Sequence, residues 1–146
     1  QHAHITGRLQ SVAIAYQGRS LQLLLDVAHN PHAAQYLAQR LASQPIQGRR
    51  LAVLGMLNDK DVHGVLSSMV DQFSDWAVAA LPSPRSCTAQ ALESALSEQG
   101  AEVVAYSSIG AAIEAQCAQA AADDQIVIFG SFFTVAQALK WLATQA

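Results

Sequence analysis

Three short polar runs in this sequence carry residue types suited to handling anions and protons. Asp26-Val27-Ala28-His29-Asn30-Pro31-His32 gathers a carboxylate, two imidazoles and an amide into seven residues. Asn58-Asp59-Lys60-Asp61 sets a lysine among acids. Gly130-Ser131 offers a close backbone approach beside a hydroxyl. In the first run Asn30 is a strong N-cap and Pro31 suits a first helical position, so a helix should open there with its free N–H groups available to an anion. Asp26 then stands at the end of the preceding strand, with His29 at the crevice between them. The same spacing also fits a plainer role, in which Asp26 and Asn30 only cap the helix and His29 is a surface turn residue. Asp26, His29 and His32 recur at i, i+3, which zinc could use. However, Pro31 opens the helix between the histidines and no fourth ligand accompanies them, so no metal site is expected.

The other runs divide the same way. Lys60 could reach a phosphate or carboxylate across the crevice, or its loop could simply be solvated, with the acids favouring the next helix's positive end. Ser131 could meet a ligand or merely cap a following helix, and no GxSxG elbow marks it as a nucleophile. Arg8, after Gly7, has the fork geometry to clamp a phosphate. The absences are as informative. No two glycines are separated by a single residue, and the two lysines follow Asp59 and Leu139 rather than glycine. Neither the dinucleotide fingerprint nor a P-loop is present, so this chain cannot hold a triphosphate in the usual way by itself.

The elements that must position these runs alternate between two periods. Gln10–Tyr16 and Ser20–Asp26 read as strands joined through Gly18, hence an antiparallel hairpin. Buried strands are expected at Leu51–Met56, Trp76–Leu81, Val103–Tyr106 and Ile126–Phe129. Helices are expected from Asn30-Pro31 to about Ser43, over Val62–Val70, after a Thr88 cap, over Ile109–Ala122 and from about Thr134 to Leu142. Strands alternating with helices in this way imply parallel βαβ units. The expected fold is α/β, a Rossmann-like open mixed sheet of six strands, five parallel and one an antiparallel edge, flanked by about five helices. In such a sheet, ligands bind beyond the carboxyl ends of the strands, and each of the three polar runs follows a strand.

Composition bounds the rest. At 146 residues the chain is about one domain. Apolar residues are 51% and charged residues only 13%, which excludes a disordered charged tail. Eight Lys and Arg against eleven Asp and Glu leave −3, so there is no general basic surface for a nucleic acid. Cys87 and Cys117 form no CxxC pair, and a reducing cytosol is the expected setting. No apolar run approaches the roughly eighteen residues of a membrane helix. The start, Gln1-His2-Ala3-His4, has neither Met nor a signal-peptide pattern, which suggests an excerpt from a longer chain.

Taken together, Gly7-Arg8-Leu9-Gln10, Leu25-Asp26-Val27-Ala28-His29-Asn30-Pro31-His32-Ala33, Val53-Leu54-Gly55-Met56-Leu57-Asn58-Asp59-Lys60-Asp61 and Phe129-Gly130-Ser131-Phe132 resemble the C-terminal domain of bacterial dihydrofolate synthase/folylpolyglutamate synthases. The Asp-x-Ala-His-Asn-Pro segment is shared more widely with the Mur peptidoglycan ligases, whereas the Gly-Met-Leu-x-Asp-Lys-Asp and Gly-Ser-Phe segments favour the folate branch. The resemblance implies a single Mur-ligase-type C-terminal domain over residues 1–146, with 1–6 a remnant of an interdomain linker. It also implies an absent N-terminal domain carrying the P-loop and the magnesium ligands. ATP would convert a dihydropteroate or folate carboxylate to an acyl phosphate, which the amine of L-glutamate attacks. In that family the positions matching Arg8 and Asp26 contact ATP, those matching His29 and Ser131 position glutamate or the transferring phosphate, and Asn30 and Lys60 join the nucleotide side. The expected partners are ATP with Mg, L-glutamate, the folate substrate and the chain's own ATPase domain, in a cytoplasmic monomer. A Mur ligase C-terminal domain and a non-catalytic α/β binding module are the alternatives.

Overall fold

In the computed structural model, residues 8–145 are described, and the expected linker at 1–6 lies outside them. The hairpin is β1 (Gln10–Tyr16) and β2 (Arg19–Asp26), joined by a turn in which Gln17 and Gly18 both have positive φ, 50° and 82°. That is the type I′ twist a tight hairpin favours, and it draws Arg19 into register opposite Tyr16. The chain continues α1 (Pro31–Ala42), β3 (Arg50–Leu54), α2 (Val62–Met69) with a 3₁₀ turn after it, β4 (Asp75–Ala79), α3 (Ala89–Glu98), β5 (Val103–Tyr106), α4 (Ile109–Gln119), β6 (Gln125–Phe129) and α5 (Phe132–Ala143). Among the described residues this is the expected six-stranded sheet, with order β1-β2-β6-β3-β4-β5, and β1 its antiparallel edge.

Each helix start has a local cause. Asn30 Oδ1 accepts the N–H of Ala33, Asp61 that of Gly64, Thr88 that of Ala91 and Ser108 that of Ala111, so side chains cap four helices in the expected geometry. Two strand ends and one helix start move. β3 ends at Leu54 and β4 at Ala79, so Gly55-Met56 and Ala80-Leu81 belong to the loops above the sheet. α5 opens at Phe132 rather than near Thr134, because Ser131 is the cap.

Two apolar layers sandwich the sheet. Leu37 and Leu41 of α1 with Leu66 and Met69 of α2 pack on one face, with Trp76 and Phe129 of the sheet. Ile113 of α4 and Val135, Ala138 and Trp141 of α5 pack on the other, with Leu23, Leu25 and Ile128. The hairpin is pinned to that second layer by Glu114, which accepts the Tyr16 hydroxyl at 2.7 Å and the Trp141 indole N–H at 2.8 Å.

The end of the sheet away from the polar runs is fixed by Asp124. Its carboxylate accepts the backbone N–H of Arg49 at 2.8 Å and of Ala121 at 2.9 Å, and the Arg49 guanidinium lies 3.1 Å away. Burial disfavours the charge, but these three donors outweigh it and hold the carboxyl below the ordinary Asp value. A depressed carboxyl stabilises the fold above its unfolded pKa of about 3.9, and that contribution fades as pH falls through the lower folded value. Asp124→Asn should therefore cost about 1–3 kcal/mol at neutral pH, by turning an amide N–H₂ toward a backbone donor. The penalty should shrink below pH 4. Urea melts of the two chains across pH check both halves of the expectation.

Candidate functional site

The register of the sheet brings the polar runs to one edge. Asp26 pairs with Phe129 and Phe129 with Leu54, so β2, β6 and β3 end level. The helices that follow adjacent strands β2 and β6 leave to opposite faces, α1 to one layer and α5 to the other. Neighbouring strands whose helices diverge leave a crevice between their loops, where open α/β sheets bind ligands. His29 and Ser131, 102 residues apart in sequence, stand on its two sides and line one cavity.

On the β2 side, Arg8, Asp26, His29, Asn30, His32 and Tyr36 line a cavity of about 360 Å³. Asp26 is only 4% exposed. Its two oxygens accept the N–H of Leu9 at 2.9 Å and of Ala28 at 2.8 Å. Burial pushes its carboxyl up from the ordinary value, while those N–H groups and the Arg8 charge pull it down. The carboxylate thus ties down the segment entering β1, where Leu9 is held at φ 49°, and with it Arg8. Strained backbone of this kind persists only where its surroundings over-determine it. The Arg8 guanidinium lies 5.7 Å from the centre of the Tyr36 ring, within cation–π range.

On the β6 side, His29, Lys60, Arg85, Ser131, Phe132 and Phe133 contribute to a second cavity of about 280 Å³. His29 is the wall common to both. Its Nδ1 is 2.9 Å from the carbonyl of Val27, and its ring lies 6.4 Å from that of Phe132. Arg85 is 3.6 Å from Asp59, an exposed pair that leaves both groups in water.

Ser131 is 4% exposed and is built into the scaffold. Its Oγ accepts the N–H of Thr134 at 3.1 Å and lies 3.0 Å from the Thr134 hydroxyl. Thr134 has a single hydroxyl hydrogen, which it donates to the Gly55 carbonyl at 2.8 Å. The hydrogen between the two hydroxyls is therefore that of Ser131, whose remaining capacity is one acceptor lone pair. Ser131 is both the cap of α5 and a wall of the cavity, so its loss reaches the fold. Ser131→Ala should cost about 1–2 kcal/mol of domain stability by uncapping α5. A thermal melt of the isolated domain measures it, with Ser131→Thr as the control that keeps the hydroxyl.

All the sequence candidates therefore fall on one rim. Arg8, Asp26 and Asn30 gather at one cavity and His29 lines both, whereas Lys60, expected beside the nucleotide, stands with Ser131 at the other cavity, because its loop follows β3 and not β2. Among the described residues no three His, Cys, Asp or Glu side chains converge as metal ligands. Sequence reasoning gave no role to Arg85, Tyr36, Phe132 or Phe133, all of which line the rim. Tyr36 lies on a helix turn that periodicity assigns to the core, yet it is 43% exposed, and Phe132 is 65% exposed. Exposed aromatics beside a polar cleft are the signal that hydrophobic patterning conceals.

This fold and this rim define a class. The chain belongs to the Mur ligase family as its glutamate ligase domain, whose model matches residues 7–132. The dihydrofolate synthase/folylpolyglutamate synthase of Escherichia coli K12 is 40% identical over 138 residues, which cover 94% of this chain and 31% of that protein. That of Buchnera aphidicola from Schizaphis graminum is 35% identical over 133 residues, 91% of this chain and 30% of the relative. The chain thus spans about a third of the length of the curated relatives it matches. Among solved structures, E. coli FolC in complex with DHPP and ADP superimposes with a TM-score of 0.85 at 38% identity, over 96% of this chain and 32% of that one. A bifunctional folylpolyglutamate synthase/dihydrofolate synthase with Mn, AMPPNP and L-glutamate bound gives 0.84 at 38% identity, over 98% and 33%. Among the described residues no helix is long and apolar enough to cross a membrane.

Proposed function

We propose that this chain is the C-terminal domain of an ATP-dependent amide-bond ligase that adds L-glutamate to dihydropteroate or a folate through an acyl phosphate. In this reading residues 1–146 form one domain, with 1–6 as linker, and an upstream domain supplies the P-loop and the magnesium ligands. The observation that carries it is the pair of cavities at one switch-point crevice, joined by His29. One suits a nucleotide's anionic end, with the Arg8 fork and the α1 N-terminus, where Asn30 completes the first turn. The other suits an amino acid with two carboxylates, since Lys60 and Arg85 flank it. The relatives' names and bound ligands support that assignment.

Acyl-phosphate formation followed by amine attack needs positioning and charge stabilisation rather than a protein nucleophile. A domain that brings Arg8 and a helix N-terminus to the reacting groups on closure meets that need and excludes water, which would hydrolyse the acyl phosphate. This reading leaves the magnesium ligands to the upstream domain, and no step on this domain is routed through the ion. The same reading makes the working protein a cytoplasmic monomer that handles neither nucleic acid nor membrane.

Two experiments test the proposal. The full-length protein, assayed with ATP and L-glutamate, should ligate glutamate to dihydropteroate or folates and not to peptidoglycan precursors. The reverse preference would assign the chain to a Mur peptidoglycan ligase instead. The isolated domain should melt cooperatively, since its two apolar layers are complete, yet show no ligation, since it has no P-loop. Turnover by the pure domain would contradict the division of labour.

A further inference from the structure

The two cations of the β6-side cavity come from different strands, Lys60 from the loop after β3 and Arg85 from the loop after β4. A short antiparallel bridge between Leu57 and Ser86 joins those loops. On one side of it the Asn58 N–H donates to the Arg85 carbonyl at 2.7 Å, and on the other the Cys87 N–H donates to the Met56 carbonyl at 2.8 Å. The loop after β4 carries a further brace. Its Pro82 and Pro84 have no N–H to hold it together. Instead Ser86 Oγ accepts the Leu81 N–H at 2.8 Å and donates to the Cys87 carbonyl at 2.7 Å, tying the start of the loop to its end. Arg85 sits inside this closure, with its N–H on Ser83 Oγ at 3.2 Å. Its guanidinium is largely exposed, 3.6 Å from an equally wet Asp59. Packing therefore does little to place that guanidinium, and the backbone beneath it does most.

Resting on the proposed ligase reading, we propose that Ser86 is a positioning residue for the amino-acid substrate, acting through Arg85: its hydroxyl closes the loop after β4 so that the guanidinium stands at the cavity. Ser86 is not among the residues that line the cavity, and its hydroxyl hydrogen is already committed to the Cys87 carbonyl. Its influence on a ligand must pass through its neighbour. A guanidinium reads a carboxylate through a planar fork, and a misplacement of about 1 Å is enough to spoil such a contact. With alanine at position 86 the Leu81 N–H loses its acceptor and the two ends of the loop are no longer tied. The backbone bonds across the bridge remain, and they hold the loop after β3 that carries Lys60. The loss therefore falls on Arg85.

A double-variant cycle in the full-length protein separates this role from a general contribution to the fold. Ser86→Ala should raise the glutamate KM about 3- to 10-fold, the scale of one lost hydrogen bond, with kcat and the ATP KM little moved. Arg85→Ala should raise it about 10- to 100-fold by removing a charge-assisted contact. In the Arg85→Ala background the change at Ser86 should add nothing, because the group it positions is gone. Ser86→Thr keeps the hydroxyl and should hold the KM near the wild-type value. Effects that multiply in the double variant, an equal rise in the ATP KM, or a threonine variant as poor as the alanine one would each overturn the proposal. A Ser86→Ala chain that fails to fold would also overturn it, by making the hydroxyl a support of the whole domain. If the wild-type protein shows no ATP-dependent glutamate ligation at all, the ligase reading itself fails and takes this role with it.

Discussion

Arg8→Ala in the full-length protein is expected to lose activity about 30- to 1,000-fold, the consequence of removing one charge-assisted contact to a phosphate at about 2–4 kcal/mol. The side chain is exposed at the mouth of the larger cavity, beside buried Asp26 and over Tyr36. Arg8 belongs to neither apolar layer, so the domain's melting temperature should change little. Arg8→Lys keeps the charge and loses the planar fork, so it should recover only part of the rate. Steady-state kinetics against ATP, set beside a melt of each variant, check the expectation. Near-wild-type kinetics for Arg8→Ala would remove it from the nucleotide side, and a matching collapse in stability would make it a structural residue. Asp26→Ala is a less clean probe. It strands the Leu9 and Ala28 N–H groups and frees the segment that carries Arg8, so it should damage fold and activity together.

The largest effect on the fold is expected at Gly130. Its φ is +125°, and a Cβ there would lie 2.0 Å from the Gly55 carbonyl oxygen, the same oxygen that Thr134 caps. The loop after β6 crosses that after β3 so closely that backbone meets backbone, and no flexible side chain can yield. Gly130→Ala should cost about 2–6 kcal/mol, combining backbone strain with overpacking, which is a large part of a domain's usual 5–15 kcal/mol. Gly18→Ala is the control, because Gly18 also has positive φ, +82°, but nothing lies within 4 Å of its Cβ position. It should lose only about 1 kcal/mol. Chemical denaturation of both variants makes the comparison, and equal losses would mean that the close crossing contributes nothing.

These two positions show what could be read from the residues. Gly130-Ser131 stands out in sequence as a close approach with a hydroxyl, and Asn30-Pro31 as a helix start, because each signal is local chemistry. The sheet order was harder. Periodicity shows that β6 is buried, but its insertion between β2 and β3 is set by both apolar layers closing around it. That insertion makes His29 and Ser131 neighbours. The donor and acceptor states of His29 and Ser131 were hidden for a similar reason. They depend on the Val27 and Gly55 carbonyls, whose positions follow from the fold and not from spacing.

If the rim serves acyl-phosphate ligation of glutamate, an oxygen-transfer measurement on the full-length protein reads it most directly. The full-length protein would be given dihydropteroate labelled with ¹⁸O in its carboxylate, together with ATP and L-glutamate, and the released phosphate analysed by mass. An acyl phosphate requires one carboxylate oxygen to leave with phosphate, so each amide formed should yield one singly labelled phosphate. Amide formation with unlabelled phosphate, or ATP hydrolysis with no amide at all, would contradict the claim.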